Sequence, residues 1–254
     1  MRRERAIAGL WIGLSFLAVS ACAGTETGNP SFEGQLAYDA YSSNVAVVAL
    51  RQSEPEPSAQ SMIVDTSWLV LGDVVFLPEG TCERPPSDLP VSATGLGEGD
   101  HAAGGHVVTA LVVDTGRYCG IELPFERAST TPIAGPLALA EQSVLIEGAL
   151  EDGTAVTIAS ALQHTFVLRS ETPFEMGEGA GNVLIGFDLA VWLGELDWSA
   201  AARNDDGSIS IDGAHNVELL AAFERALVEG TALFRDLDGS GTAIPAQRLA
   251  RGMQ

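Results

Sequence analysis

Short apolar runs recur along most of the chain, and the polar breaks between them predict its architecture. From residue 34 to 187, stretches rich in β-branched residues alternate with clusters of Gly, Pro, Asp and Ser, the pattern of many short strands. Strands are expected at 34–41, 45–50, 68–77, 106–113, 118–125, 143–150, 154–162, 165–170 and 183–187. No long helical pattern separates them, so the expected fold is mainly β, an antiparallel β-sandwich. Asp114-Thr115-Gly116 and Glu151-Asp152-Gly153 each put a glycine where a hairpin turn needs positive φ, and each is expected to join two neighbouring strands. Segments 52–61, 83–105 and 171–182 are too polar or too rich in Gly and Pro for strands. They are expected as long surface loops, where a ligand surface is most naturally sought.

The pattern changes after Phe187. Asp188 is placed to cap a short helix through Leu193, a helical turn is expected around 198–202, and 208–211 reads as a short strand. An amphipathic C-terminal helix is expected over 217–234, capped by Asn216, with Glu218 near its positive end. Its apolar face would carry Leu220, Phe223, Leu227 and Phe234 and pack on the sandwich. The expected organisation is therefore a β-sandwich domain over 34–187 and a mixed α/β portion over 188–254.

The N-terminus belongs to neither. Met1-Arg2-Arg3-Glu4-Arg5 precedes sixteen uncharged residues, Ala6 to Ala21, which is a charged head followed by an apolar core of secretory-signal length. The run is shorter than the ~20 residues that a membrane-spanning helix needs. It closes on Val19-Ser20-Ala21-Cys22, which resembles the lipobox of bacterial lipoproteins. That resemblance implies a signal peptide over 1–21, cleavage before Cys22, and acyl chains on Cys22 as the membrane anchor. Ala23, in the place where aspartate retains many lipoproteins in the inner membrane, implies the outer membrane. Gly24-Thr25-Glu26-Thr27-Gly28-Asn29-Pro30 resembles the segment after the lipid cysteine in a set of uncharacterised bacterial outer-membrane lipoproteins. Physically, 22–33 is a polar tether. A weaker likeness links Gly116-Arg117-Tyr118 to the strand start of prealbumin-like surface modules and adds only to the sandwich expectation.

Charge and cysteine content narrow the function. The chain carries a net −21; losing three arginines and one glutamate with residues 1–21 makes it −23. Such a surface opposes nucleic acid and anionic headgroups, so lipid would hold the protein at the membrane. All 13 basic residues are arginine. With Cys22 assigned to lipid, Cys82 and Cys119 remain as an expected disulfide in an oxidising compartment, the alternative being two buried thiols.

One constellation points to a cofactor. Asp236-Leu237-Asp238-Gly239-Ser240-Gly241-Thr242, expected directly after the amphipathic helix, resembles the start of an EF-hand calcium loop over 236–247. Asp236, Asp238 and Ser240 would supply hard oxygens at alternating positions, Gly241 the sharp turn and Thr242 a carbonyl oxygen. The likeness then weakens, with Pro245 at the tenth place and Gln247 where a bidentate glutamate is usual. The alternative is an ordinary turn. His101 and His106 share a Gly-rich loop with Glu98 and Asp100, but their spacing fits no zinc pattern and the loop is expected to be solvated. His164 and His215 read as structural. Trp68, Trp192 and Trp198 read as core rather than a sugar platform. No Gly-x-Ser-x-Gly, reactive Cys–His pairing or phosphate-binding glycine motif is present. The expectation is a membrane-anchored, non-catalytic binding or structural module of the bacterial envelope, with a protein or glycan partner and a weak Ca2+ site. An envelope hydrolase acting on glycan and a structural subunit of an envelope assembly are the alternatives.

Overall fold

The computed structural model describes residues 30–43, 48–50, 62–102 and 107–252. The signal segment, residues 22–29 of the tether including Cys22, segment 52–61 and His106 lie outside them, while 31–33 of the expected tether belong to the first strand. Fourteen strands are described: β1 Ser31–Tyr41, β2 Val48–Leu50, β3 Met62–Leu71, β4 Val75–Pro78, β5 Gly97–Asp100, β6 Val107–Asp114, β7 Gly116–Phe125, β8 Val144–Leu150, β9 Ala155–Ser160, β10 His164–Met176, β11 Asn182–Asp188, β12 Ile209–Ile211, β13 Thr231–Asp236 and β14 Arg248–Gly252. Two α-helices accompany them, α1 Leu189–Gly194 and α2 Val217–Glu229.

The chain is mainly β, as expected. Its strands form one hydrogen-bonded path, β12-β9-β8-β3-β7-β10-β14-β13-β11-β1-β6, with β2 and β5 joined to β3 and β4 to β7. Most pairs are antiparallel, but β1–β11, β9–β12 and β2–β3 are parallel, so the sheet is mixed. The sheet folds over on itself. Phe187 of β11 stands 6.4 Å from Phe125 of β7, and both halves of the path feed one core. Strand β9 shows the period-2 logic plainly, burying Val156, Ile158 and Ser160 and turning Ala155 and Thr157 outward. Strand β11 is buried on both faces, as its unbroken apolar run requires. Its second face packs Leu184 with Ala37, Ala232 and Phe234, and Ala243 of the following loop covers that cluster.

Several expected boundaries move. The run 68–77 is two strands, because at Gly72-Asp73 the chain leaves the β8-paired register and re-enters as β4 on β7. Strand β5 lies inside the expected loop 83–105, where Gly97, Glu98, Gly99 and Asp100 pair by backbone with β3. Strand β10 runs on to Met176 through a register break between Arg169 and Phe174. Asp114-Thr115-Gly116 is not a hairpin: β6 pairs with β1 and β7 with β10, so the turn carries the chain between different parts of the sheet. Glu151-Asp152-Gly153 is one, with Gly153 at φ +81° between antiparallel β8 and β9.

The expected helix 217–234 ends at Glu229. Ala232, Leu233 and Phe234 are buried in β13 between β11 and β14, where a strand can bury both of its faces and an amphipathic helix only one. Strands β13 and β14 thereby place the C-terminal portion within the sheet itself. Helix α2 buries Phe223, Ala226 and Leu227 and lies near β9, β12, β13 and β14. Asp188 caps α1 as expected, accepting from Ala190 N. Asn216 does not cap α2. At φ 50° its amide instead joins Ala202 to Ser210, accepting from Ala202 N and donating to both carbonyls.

Candidate functional site

Cys82 and Cys119 form the expected disulfide, with Cα atoms 5.9 Å apart. It ties the segment after β4 to β7, two neighbouring strands. The cysteines therefore resolve into one bonded pair and Cys22.

The acidic loop lies between strands rather than after a helix. β13 ends at Asp236 and antiparallel β14 begins at Arg248, so 237–247 is the connection of a hairpin. Gly239 and Gly241 both take φ +67°, a conformation open to glycine and strained for other residues. Around them the expected ligands fold inward on one another. Asp236 Oδ2 accepts from Gly241 N at 3.2 Å, Asp238 Oδ1 from Ser240 N at 3.1 Å, and Ser240 Oγ from Thr242 N at 3.3 Å. The Ser240 hydroxyl and N–H hold the Asp238 carboxyl below the usual carboxylate range. Asp236 itself is buried, and its Oδ1 meets no donor among the described residues. Gln247 is half-buried, and its Oε1 atom, at the far end of the same loop, is enclosed with no donor among the described residues. Among the described residues no group of three or more His, Cys, Asp or Glu side chains converges on a metal position. This loop offers two carboxylates, and further oxygens come from hydroxyl, amide and carbonyl groups.

The histidines fall elsewhere. His101 is not in a solvated loop: it is buried at 2% exposure, 5.5 Å from the Phe187 ring and 6.2 Å from Tyr38. Burial pushes its pKa down to about 4, and the opposing polar contact from the Tyr38 backbone falls short of a hydrogen bond. Neither ring nitrogen has a hydrogen-bond partner among the described residues. Glu98, from the same segment, accepts from Ala134 N and Gly135 N at 2.8 Å each and moors that loop to β5. His215 pairs with Asp212 at 3.0 Å on the surface, and His164 is exposed. Trp192 is in the main core with Trp198 half-buried against it, while Trp68 packs half-buried on a separate cluster of Val70, Ala128, Leu139 and Leu145.

Two surface recesses stand out. The larger, about 890 Å³, lies by β9 and α2, and its charged groups are committed: Glu224 accepts from Ser160 Oγ, Arg127 donates to Ala161 O, and Asp212 holds His215. The smaller, about 290 Å³, opens where β10 breaks register between Arg169 and Phe174 and is closed on its other side by β14. Arg169, Arg248 and Arg251 line it with Ser170 and Thr172. Glu171 pairs with Arg251 at 3.0 Å, whereas no ion pair among the described residues holds Arg169 or Arg248. Three of the ten arginines beyond residue 21 thus meet in one cleft of a strongly acidic chain. Glu171, in the same recess, already offsets Arg251, and an anion would offset the charge of Arg169 and Arg248. This site was not expected from sequence. Arg169 lies about eighty positions before Arg248, and only the β10–β14 pairing brings them together.

No protein family is matched by the chain, and no curated protein matches it. Among solved structures, MbnP from Methylosinus trichosporium aligns over 70% of this chain and 83% of its own, at 9% identity and a TM-score of 0.37, a similarity too loose to carry an argument.

Proposed function

We propose that this chain is a lipid-anchored, non-catalytic binding module of a bacterial envelope, held at the outer membrane through Cys22 and presenting the arginine-lined cleft to an anionic partner. The observation that carries the anchor is the division of the cysteines. The Cys82–Cys119 bond fits an oxidising compartment, and Cys22, outside that pair, stands at the end of a secretory apolar run on a lipobox. Two or more acyl chains supply a durable anchor where one chain holds only marginally. Strand β1 begins at Ser31, a short polar stretch of sequence after Cys22.

The cleft supports a partner bearing carboxylate or phosphate, on glycan or protein, since guanidinium groups match both geometrically. The cleft is small and partly open to solvent, which suits surface recognition more than enclosure of a reacting group.

Intact-mass analysis and membrane fractionation of the full chain expressed in a Gram-negative host test the anchor. The expected result is a mature protein starting at Cys22 with the added mass of acyl chains, and release of Cys22→Ser to the soluble fraction. An unacylated mature protein, or a Cys22→Ser variant still held in the membrane, overturns it. For the cleft, inorganic phosphate titrated onto the same protein should bind weakly and lose binding in Arg169→Ala plus Arg248→Ala; binding unchanged in that variant places the anion elsewhere.

A further inference from the structure

We infer that the β13–β14 loop binds a single Ca2+ ion through Asp236, Asp238, Ser240 and Gln247, with backbone carbonyl oxygen completing the shell. This does not rest on the reading of the anchor or the cleft.

The inference stands on two oxygens that the fold leaves unsatisfied. Asp236 is 4% exposed, and one of its carboxylate oxygens faces Gly241 N while the other is buried with no donor among the described residues. A buried carboxylate oxygen without a donor or cation is costly, because the water it gave up is not replaced. Gln247 Oε1 repeats the situation at the other end of the loop. A proton could relieve a carboxylate, but an amide oxygen takes none at ordinary pH. A cation satisfies both.

The loop's construction agrees. Gly239 and Gly241 in the left-handed region curl the chain around Asp236 and Asp238, and the short 3-10 turn Pro245–Gln247 returns Gln247 towards β13. The hairpin pairing of β13 with β14 fixes both ends, doing the work that flanking helices do in an EF-hand. The donor set is all oxygen and includes no Cys or His, which selects a hard ion over zinc or copper. Only two carboxylates contribute, and the amide of Gln247 offers one oxygen where glutamate would offer two. Affinity therefore belongs to the weak range of extracellular sites, on the order of 10⁻⁴ to 10⁻³ M. Magnesium, which demands a compact octahedron and gives up its water reluctantly, fits this loop worse.

The test is calorimetric titration and thermal unfolding of the full chain in detergent, first stripped with chelator. Calcium chloride at about 10 mM should raise Tm by roughly 5 °C, with saturable single-site binding, and magnesium chloride should do clearly less. Gln247→Glu should tighten Ca2+ binding about tenfold by supplying the second carboxylate oxygen. Asp236→Asn with Asp238→Asn should abolish the shift. Absence of a shift in the unaltered chain overturns the inference. So does an equal shift with magnesium that survives the double variant, since that is charge screening of an acidic protein. Should the double variant fail to fold, Gln247→Glu decides: binding no tighter than in the unaltered chain removes Gln247 from the shell and the inference with it.

Discussion

Gly230 sits against the indole of Trp192 so closely that a Cβ at position 230 would lie 2.3 Å from Trp192 Cδ1 and 2.5 Å from Nε1. Trp192 cannot retreat. It is fully buried, its Nε1 donates to Leu227 O at 3.2 Å, and its ring packs on Phe187 and Phe223. The contact is where α2 hands the chain to β13, so the backbone turn and the core meet at one atom pair.

Gly230→Ala should therefore destabilise the protein by about 3 kcal/mol. At φ −84° the backbone would accept alanine, and the loss of glycine's freedom in the unfolded chain would by itself stabilise by up to about 1 kcal/mol. Overpacking against a fixed ring outweighs that gain. Urea unfolding compares the two proteins; a Gly230→Ala variant as stable as its parent would show that the indole can move.

Replacing Cys82 and Cys119 together by serine should cost roughly 3 to 4 kcal/mol, because the bond closes a 37-residue separation whose freedom returns to the unfolded chain. For a domain of this size that is a fall in Tm of about 10 °C. Scanning the unaltered protein with and without reductant should show a matching difference, and the double serine variant should be indifferent to reductant.

What sequence discloses here follows from how local each signal is. The Asp188 cap and the Asp152-Gly153 hairpin depend on residues a few positions apart, and both are present. The end of α2 depends on what flanks it in space. Leu233 and Phe234 continue a helical spacing, yet β11 and β14 offer a slot that only a strand fills on both sides, and packing overrides the pattern. Strand β5 was hidden for the converse reason: Gly97, Glu98 and Gly99 carry no strand propensity, and backbone pairing with β3 alone makes them one. The acidic loop was legible as a candidate ion loop from its spacing, but the buried, donorless oxygens of Asp236 and Gln247 emerge only from the fold. The arginine cleft gave no local signal, since β10 and β14 are distant in the chain.

His101 yields a prediction about acid. In the folded protein its pKa lies at about 4 against 6.5 for the free side chain, because burial excludes the charged ring. Between those values the unfolded chain binds a proton that the folded chain refuses, so stability is fully present above pH 6.5 and falls as pH drops towards 4, levelling below it. The accumulated loss from this one group is about 2 kcal/mol at pH 5 and approaches about 3 kcal/mol at pH 4. Other groups titrate in the same range, so the informative quantity is a difference. His101→Leu keeps an apolar side chain among Tyr38 and Phe187 and removes the titration. Urea midpoints taken from pH 7 to pH 4 should fall more steeply for the unaltered protein than for His101→Leu. Parallel slopes would mean that the ring admits a proton, or water, without opening the core.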